Sequence, residues 1–455
     1  MEHSVHRLSS LLFSRLFSRF YSRLFSVLAI CCLSVSAMAQ QALPTPPSVE
    51  ARAWLLLDFN SGQVLASQNA NDRFEPASLT KLMTAYLAFS ALKQKTLKAD
   101  QVIPVSTRAW KSEGSRMFIE PNKPVIVEDL LRGMIIQSGN DASVALAEAI
   151  GGSEEVFAQM MNREAKRLGL VNTNFINATG LPGPQLYSSA QDLSQLVVAL
   201  IRDFPEHYAL YSQKEFRYNN ITQANRNRLL WLDPTVDGVK TGFTDNAGYC
   251  LITSARRGDR RLVSVVLGTA SESARATESQ KLLNWGFQFY DSVKLYGRNQ
   301  PVTQLRVWKG ASDMLKAGFT SDLYIAMPKG QNDKIKATVE SLQPLLAPEV
   351  MANFEAAIAE EHLLLLRVVA GDGRTDAITA GDVATLPGRT DLLGVAADAT
   401  EGDVDRAALD GQAGFAGREE RAAFFSGGAP QRAELNLAAD DQRTERQSDG
   451  QEDAG

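Results

Sequence analysis

The sequence predicts an α/β fold in which an antiparallel sheet is sandwiched by helices and a small β-rich C-terminal domain follows. Residues 248–271 contain two strand-like runs joined by a polar turn. Residues 76–93 and 127–149 carry apolar side chains at helical spacing. Residues 294–347 divide into short strand-like pieces separated by turns. Helices and antiparallel strands in one unit indicate helices packed on a sheet.

The first elements in the chain are a β-hairpin and a helix. Residues 53–68, "AWLLLDFNSGQVLASQ", have two β-like runs around the turn Asn60-Ser61-Gly62. The helix is expected from Pro76 to about Lys93, and Pro76 suits its first turn because the missing N–H has no partner there in any helix. Two further helical stretches then flank a polar break at 138–140.

The last elements of this unit are strands and one helix. "VDGVKTGF", residues 236–243, predicts a strand just before the pair in 248–271. Residues 276–293 predict a helix, because apolar and aromatic side chains recur there at helical spacing: Leu282, Leu283, Phe287 and Tyr290.

Length and charge limit the organisation and the partners. A chain of 455 residues with 44% hydrophobic content can bury more than one core. We expect a catalytic domain over 51–293, a small β-rich domain over 294–347 and an atypical tail over 348–455. The tail has no lysine and is rich in Ala, Gly, Asp, Glu and Arg, which predicts disorder. The net charge of −5 gives no reason to expect nucleic acid as a partner.

Residues 1–39 have the pattern of a secretory signal peptide. Scattered arginines precede the apolar run "LFSVLAICCLSVSAMA", which ends in Ala37-Met38-Ala39. The run is short for a membrane span, so we expect cleavage and export; an uncleaved anchor is the alternative. Residues 40–50 are polar and proline-rich and indicate a linker.

Export would leave one cysteine in the mature chain. Cys31 and Cys32 lie in the signal peptide, so only Cys250 remains and no internal disulfide is expected. Cys250 lies in the alternating apolar stretch "AGYCLITSA". That setting predicts a small core residue and not a nucleophile.

Two Ser-x-x-Lys pairs occur, and only their surroundings distinguish them. Ser78 and Lys81 open a stretch that is apolar on nearly every face, which is typical of a buried helix. Ser90 and Lys93 lie at the expected polar C-terminal turn, where a lysine in solvent complements the helix dipole. We therefore interpret the second pair as structural.

A lysine inside a buried helix is costly to keep charged. Burial and a second cation nearby would lower the pKa of Lys81 and make a neutral amine available to deprotonate Ser78. The backbone N–H of Ser78, in the first turn, could face a reacting carbonyl oxygen. The histidines of the mature chain, His207 and His362, lack a Ser-His-Asp setting, so lysine is the better candidate for the base.

Two further motifs follow in order. Ser138-Gly139-Asn140 occupies the break between helices, where a hydroxyl and an amide could face a cleft. Lys240-Thr241-Gly242 offers a cation, a hydroxyl and a glycine that lets a substrate approach the backbone. With "SLTK", these motifs resemble the signature set of penicillin-binding proteins and serine β-lactamases. "PASLTK", "QSGNDA", "DGVKTGFT" and "NWGF" resemble, more narrowly, the low-molecular-mass D-alanyl-D-alanine carboxypeptidases, over residues 51–348.

The resemblance implies a β-lactamase/transpeptidase-like fold, no cofactor, no metal and a serine mechanism. Ser78 would attack the carbonyl between the two terminal D-alanines of a peptidoglycan stem peptide and form an acyl-enzyme. Lys81 would be the general base. Ser138 would pass the proton to the leaving amine, and Asn140 would orient Lys81 and the substrate amide.

The resemblance also assigns the substrate-binding side chains. Lys240 and Thr241 of the Lys240-Thr241-Gly242 motif would bind the terminal carboxylate, and Lys240 would help to keep Lys81 neutral. The backbone N–H groups of Ser78 and Phe243 would form the oxyanion hole. Arg226 and Arg275 match arginines near the carboxylate pocket, with surface ion pairs as the alternative. Phe243 stands where some relatives carry a histidine. Only the backbone of this residue is needed for the oxyanion hole, so we interpret the exchange as a difference in tuning and not in mechanism.

The tail departs from the resemblance. Family members often end in an amphipathic helix on the outer face of the inner membrane, and no stretch after Pro348 has that composition. The chain is then either released into the periplasm or carries a frame-shifted ending, and peripheral membrane contact stays open. The expected partners are stem peptides and β-lactam antibiotics, which would act as covalent inhibitors.

Two other functions remain as alternatives. A β-lactamase-like hydrolase would share the three motifs, although the Glu-x-x-Leu-Asn element of class A enzymes is absent from the sequence. A non-catalytic penicillin- or peptidoglycan-binding module is the second alternative.

Overall fold

The computed structural model describes residues 45–298, 300–308, 314–319, 321–331, 336–341, 345–346, 364–369, 375–378 and 431–435. The expected signal peptide lies outside the described residues. The strands of the described residues are β1 (Ala53–Asp58), β2 (Val64–Gln68), β3 (Val102–Ile103), β4 (Val125–Ile126), β5 (Glu215–Tyr218), β6 (Ile221–Ala224), β7 (Val236–Thr244), β8 (Gly248–Arg257), β9 (Arg260–Thr269), β10 (Tyr290–Tyr296), β11 (Pro301–Trp308), β12 (Met314–Gly318), β13 (Leu323–Pro328), β14 (Lys336–Ser341), β15 (Leu345–Leu346), β16 (Leu364–Val369), β17 (Thr375–Ile378) and β18 (Gln431–Leu435).

The α-helices are α1 (Lys81–Lys93), α2 (Thr107–Trp110), α3 (Val127–Ile136), α4 (Asn140–Gly151), α5 (Glu154–Arg167), α6 (Ala190–Asp203), α7 (Pro205–Tyr208), α8 (Leu229–Leu232) and α9 (Glu272–Phe289). Two 3-10 helices cover Ala77–Thr80 and Ala209–Ser212. No helix in the described part of the chain is both long and apolar enough to cross a membrane.

The central sheet has five antiparallel strands in the order β2-β1-β9-β8-β7. Every residue of β1 is buried, because β1 has a neighbour on each side and both of its faces are covered. Leu55 and Leu57 belong to the core beside α1, whereas Trp54 and Leu56 belong to a second core that includes residues of α9. This alternation places helices on both faces of the sheet and confirms the predicted fold class.

The predicted hairpin is present, and the last predicted helix ends earlier than expected. The hairpin turn contains Gly62 at φ 73°, a conformation that glycine adopts without strain. The predicted helix over 276–293 ends at Phe289, and Tyr290 starts β10 by pairing with Pro328 of β13. Tyr290 still packs on that helix, since its ring lies 5.2 Å from the ring of Trp285. Tyr290 therefore fits the helical pattern because it packs against the end of the helix, although it belongs to the next strand.

The C-terminal part contains the predicted short strands. β11, β13 and β14 coincide with the strand-like pieces in 294–347, and β10 crosses the expected boundary at residue 293 by pairing with β13. Strands β16, β17 and β18 lie inside the segment for which disorder is expected, and β16 and β18 pair with β14. β16 is "LLLRVV", a local exception to the low apolar content of that segment. The rest of the tail lies outside the described residues.

Candidate active site

Ser78 lies in a 3-10 turn that leads directly into α1. The sequence predicts one continuous helix from Pro76, but the structure has a 3-10 helix over Ala77–Thr80 and the α-helix begins at Lys81. A 3-10 helix has three residues per turn, so residues i and i+3 lie directly above one another. Lys81 Nζ consequently lies 3.0 Å from Ser78 Oγ, to which it donates a hydrogen bond.

Two glycines let neighbouring segments pack closely on this turn. Gly180 has φ 80°, and a Cβ there would lie 1.8 Å from the carbonyl oxygen of Ala77. A Cβ on Gly242 would lie 3.1 Å from the carbonyl oxygen of Pro76. The sequence interpretation, that Gly242 gives a substrate access to the backbone, therefore omits its main packing role. Ala77 itself has φ 47°, a strained value for a residue with a side chain.

Lys81 is buried and its pKa is low. It is 1% exposed, and its ammonium group also donates to the carbonyl oxygen of Thr179 at 2.6 Å. Burial, reinforced by the positive charge of Arg226 and opposed by the charge of Asp141, lowers the pKa of Lys81 to about 7. A large fraction of the neutral amine is therefore present at neutral pH.

The second Ser-x-x-Lys pair has none of these properties. Lys93 is exposed, and its Nζ donates to the backbone oxygen of Asp203 at 3.2 Å. Ser90 accepts a hydrogen bond from the side chain of Gln94 at 3.1 Å. Both residues lie on the C-terminal half of α1, away from the residues that line the cavity described below.

Ser138 and Asn140 lie at the break between α3 and α4, as the sequence predicts. Ser138 has φ 68°, a conformation rare for a residue with a side chain, and its Oγ accepts a hydrogen bond from Lys240 Nζ at 2.9 Å. Asn140 Nδ2 donates to the carbonyl oxygen of Glu113 at 2.6 Å, while its Oδ1 is buried without a hydrogen-bond partner. The backbone of Thr179, and not Asn140, holds Lys81 in this structure, contrary to the expected orienting contact.

Asp141 is a site residue that sequence reasoning missed. Its buried carboxylate accepts hydrogen bonds from the backbone N–H groups of Met117, Phe118 and Ile119 at 2.9, 2.8 and 3.2 Å. These bonds hold the segment that supplies Gly114 and Ser115 to the cavity wall. A single acidic residue after Ser-x-Asn gives no sequence signal for contacts with a segment more than 20 residues away.

Lys240 lies on β7, the edge strand of the central sheet, and is 3% exposed. Its Nζ donates to Ser138 Oγ and to the carbonyl oxygen of Thr241. Burial and the positive charges of Lys81, Arg226 and Arg275 lower its pKa well below the usual range. The charge of Lys81 thus acts on Lys240, whereas Arg226, and not the expected Lys240, is the neighbouring cation that lowers the pKa of Lys81. A bound anion would oppose this shift and favour the charged form of Lys240.

The two predicted arginines both line the cavity, but they differ in burial. Arg226 is exposed, whereas Arg275 is 3% exposed and its guanidinium lies 5.6 Å from the ring of Tyr249. Burial lowers the pKa of Arg275. Phe243, at the rim, is 46% exposed and packs on Tyr249 with 4.4 Å between ring centroids.

Glu75 is a second residue that the sequence did not reveal. Its carboxylate accepts hydrogen bonds from Thr244 Oγ1 at 2.7 Å and from Asn246 Nδ2 at 3.0 Å. Glu75 precedes the 3-10 turn, so it ties the end of β7 to the segment that carries Ser78. The sequence separation of about 170 residues explains why no local pattern indicates this contact.

All three motifs open into one cavity of about 390 Å³. Its lining residues are Ser78, Gly114, Ser115, Ser138, Asn140, Thr179, Gly180, Leu181, Arg226, Thr241, Gly242, Phe243, Thr244, Tyr249, Glu272 and Arg275. A hydroxyl beside a partly neutral amine forms one part of the lining, and the buried guanidinium of Arg275 and the exposed one of Arg226 form another. This arrangement suits covalent catalysis on a substrate that carries a negative charge.

Comparisons with known proteins agree with this chemistry. Residues 39–271 match a family model described as D-alanyl-D-alanine carboxypeptidase, and residues 290–350 match one described as penicillin-binding protein 5, C-terminal domain. The D-alanyl-D-alanine carboxypeptidase DacC of Escherichia coli is 44% identical over 318 residues, which is 68% of this chain and 80% of that protein. The carboxypeptidase DacA of Haemophilus influenzae is 43% identical over 321 residues, 69% of this chain and 81% of its own.

Solved structures extend the likeness. Penicillin-binding protein 5 from Haemophilus influenzae is 39% identical, with a TM-score of 0.68 over 73% of this chain and 96% of that one. Penicillin-binding protein D2 from Listeria monocytogenes, in an ampicillin-bound form, is 32% identical, with a TM-score of 0.50 over 54% of this chain and 100% of that one. The second domain match coincides with the predicted β-rich region.

Proposed function

The chain belongs to the D-alanyl-D-alanine carboxypeptidase family, and from that premise we propose that it removes the terminal D-alanine from peptidoglycan stem peptides through a Ser78 acyl-enzyme. It is a serine-type D-alanyl-D-alanine carboxypeptidase. The observation that carries the assignment of the nucleophile is the 3.0 Å contact between Lys81 Nζ and Ser78 Oγ. A base within hydrogen-bond reach of a nucleophile is the required geometry.

The first step is acylation. Neutral Lys81 takes the proton of Ser78 Oγ as that oxygen attacks the carbonyl carbon between the two D-alanines. The tetrahedral intermediate carries its negative charge on the former carbonyl oxygen, which the backbone N–H groups of Ser78 and Phe243 stabilise. Ser138, hydrogen-bonded to Lys240, relays the proton that Lys81 took from Ser78 to the departing amine. The C–N bond breaks, D-alanine leaves, and water then cleaves the ester.

The cations bind the carboxylate end of the substrate. Thr241, Arg275 and the exposed Arg226 line the cavity, and Lys240 lies behind this lining, bonded to Ser138. A carboxylate there would compensate buried positive charge that the described protein groups leave largely unneutralised. The unpaired Oδ1 of Asn140 would accept a hydrogen bond from the substrate amide.

The same chemistry implies reaction with β-lactam antibiotics. Opening of the lactam ring by Ser78 forms an ester, but no separate leaving group departs, so the adduct persists longer than the peptide acyl-enzyme. The ampicillin- and cefotaxime-bound forms of the Listeria protein support this part of the proposal.

The test is release of D-alanine from a bisacetylated Lys-D-Ala-D-Ala tripeptide. Ser78→Ala should abolish release and penicillin labelling, detected by intact mass, whereas the matched control Ser90→Ala should keep both. Penicillin labelling without D-alanine release from the wild type would favour a binding module. Rapid turnover of the penicillin adduct would favour a β-lactamase.

We also propose export to the periplasm after cleavage behind Ala39. Expression with the full N-terminus should give a mature protein whose mass corresponds to a chain that begins at Gln40. A product that keeps residues 1–39 would support the uncleaved anchor. Fractionation of the same cells separates release into the periplasm from contact with the outer face of the inner membrane.

A further inference from the structure

Arg275 is a buried guanidinium whose contacts with the protein are long. Its side chain is 4% exposed. Nη1 lies 3.4 Å from the carbonyl oxygen of Gly242, and Nη2 lies 3.5 Å from that of Arg226. Hydrogen bonds from N–H to oxygen are normally 2.7–3.2 Å long, and those to charged partners are at the short end. The backbone therefore positions this guanidinium without using its full hydrogen-bonding capacity.

Glu272 lies beside this guanidinium, one helical turn earlier in α9. Its Oε1 is 3.5 Å from Arg275 Nη2, and its side chain is 59% exposed. Among the described residues that line the cavity, Glu272 is the single carboxylate, facing a wall that also contains Arg226 and Thr241. Its position in the first turn of a helix is favourable for any acid. However, the helix start is already capped, because Ser271 Oγ accepts from the N–H of Ala274 at 3.1 Å.

We propose that Glu272 sets the affinity of the site for carboxylate-ended ligands: its carboxylate pairs with Arg275 until the terminal carboxylate of the substrate displaces it. This inference rests on the proposed function, because it needs a substrate that ends in a carboxylate. Glu272 can move away at little cost, since its side chain is mostly in solvent. Substrate binding is then an exchange of one anion for another at Arg275.

The exchange has two consequences. It lowers the affinity for every carboxylate-ended ligand, because binding must first break the Glu272–Arg275 ion pair. Since Glu272 is exposed, the pair is weak, and the affinity falls by about two- to fivefold. It also affects the ground state and the transition state equally, because the carboxylate stays bound throughout acylation. Loss of Glu272 should thus change KM and leave kcat unchanged.

The experiment compares Glu272→Gln with Asp259→Asn. Asp259 is fully exposed on the turn between β8 and β9, where it faces Arg256 at 3.7 Å, so its variant controls for net charge. For Glu272→Gln we expect KM for the tripeptide to fall two- to fivefold at constant kcat, and the second-order rate of penicillin acylation to rise by the same factor. Asp259→Asn should match the wild type. In 1 M NaCl, where the Debye length is about 3 Å, the advantage of Glu272→Gln should largely disappear.

Three results would overturn the inference: an unchanged or raised KM in Glu272→Gln, an equal fall of KM in Asp259→Asn, or an advantage that persists unchanged in 1 M NaCl. Thermal unfolding of both variants verifies that each is folded. Failure of the proposed function is distinguishable, because the wild type itself would then release no D-alanine. An active wild type with an unaltered Glu272→Gln variant refutes only the role of Glu272.

Discussion

Replacement of Lys81 by methionine should make the protein inactive and, below about pH 9, more stable. Lys81 is 1% exposed, and its pKa falls from the usual 10.5 to about 7. Methionine has nearly the same length and carries no charge, so Lys81→Met removes the unfavourable burial of an ammonium group. The folded wild type must either bury the charge or release a proton that the unfolded chain keeps.

The size of the effect follows from the pKa values. A fall of the pKa from 10.5 to about 7 costs the wild type about 5 kcal/mol at low pH, at 1.36 kcal/mol per pH unit. The variant leaves the carbonyl oxygen of Thr179 without its donor, which costs about 1–3 kcal/mol. The net gain in the free energy of unfolding at pH 7 is therefore about 2 kcal/mol.

The pH dependence has a definite sign. Between pH 7 and 10.5 the unfolded wild type holds a proton on Lys81 that the folded protein has lost, so the wild type gains stability as pH rises. The advantage of Lys81→Met should shrink by about 1.4 kcal/mol per pH unit in this window and be constant below it. Lys240 is present in both proteins, and loss of the Lys81 charge should raise the pKa of Lys240 in the variant.

Urea unfolding of both proteins at pH 6, 7.5, 8.5 and 9.5 measures this difference. Lys93→Met is the matched control, because Lys93 is the exposed lysine of the second Ser-x-x-Lys pair, and its exchange should give no such slope. A difference between Lys81→Met and the wild type that does not vary with pH would show that Lys81 keeps its proton in the folded protein. That result would refute its role as a neutral base.

Three other perturbations test the same site. The value of kcat/KM for the wild type should rise with pH through about 7 as Lys81 loses its proton, and a profile that stays flat from pH 5 to 9 would exclude Lys81 as the base. Gly180→Ala should destabilise by more than about 2 kcal/mol in urea unfolding, because strain at φ 80° adds to a clash with Ala77; Gly152→Ala, at φ 78° with open space around it, should cost only the strain of about 1–2 kcal/mol. Glu75→Ala should lower kcat about tenfold with an unchanged circular dichroism spectrum, because the end of β7 loses its anchor; an unaltered kcat would show that β7 needs no such anchor.

Local sequence predicted the parts of this site that local chemistry determines. The three motifs, the break between α3 and α4, the buried lysine and the core position of Cys250 all follow from residue type and spacing. The 3-10 geometry of the Ser78 turn does not, and neither does the close packing of Gly180 and Gly242 on that turn from distant parts of the chain. Sequence spacing is informative within one element, whereas contacts between elements require the assembled fold.

The same limit applies to what holds Lys81. The family resemblance implied that Asn140 orients it, but the contact is made by the backbone oxygen of Thr179. A backbone oxygen has no residue type, so no motif can indicate it. Asp141 and Glu75 were missed for a related reason, since single acids acquire a role only from distant hydrogen-bond donors.

Several unfavourable local features meet at the cavity. Two lysines are buried there, and two residues with side chains, Ala77 and Ser138, adopt left-handed backbone conformations beside the reactive groups. Each such feature costs folding free energy, and the surrounding core must outweigh it. Ser90 and Lys93, with the same spacing on the same helix, do not have the burial of Lys81. The difference between a reactive pair and an inert one therefore lies in the burial and backbone strain that the rest of the fold imposes around Ser78 and Lys81. Substitutions that relieve this burial or strain should increase stability and decrease activity.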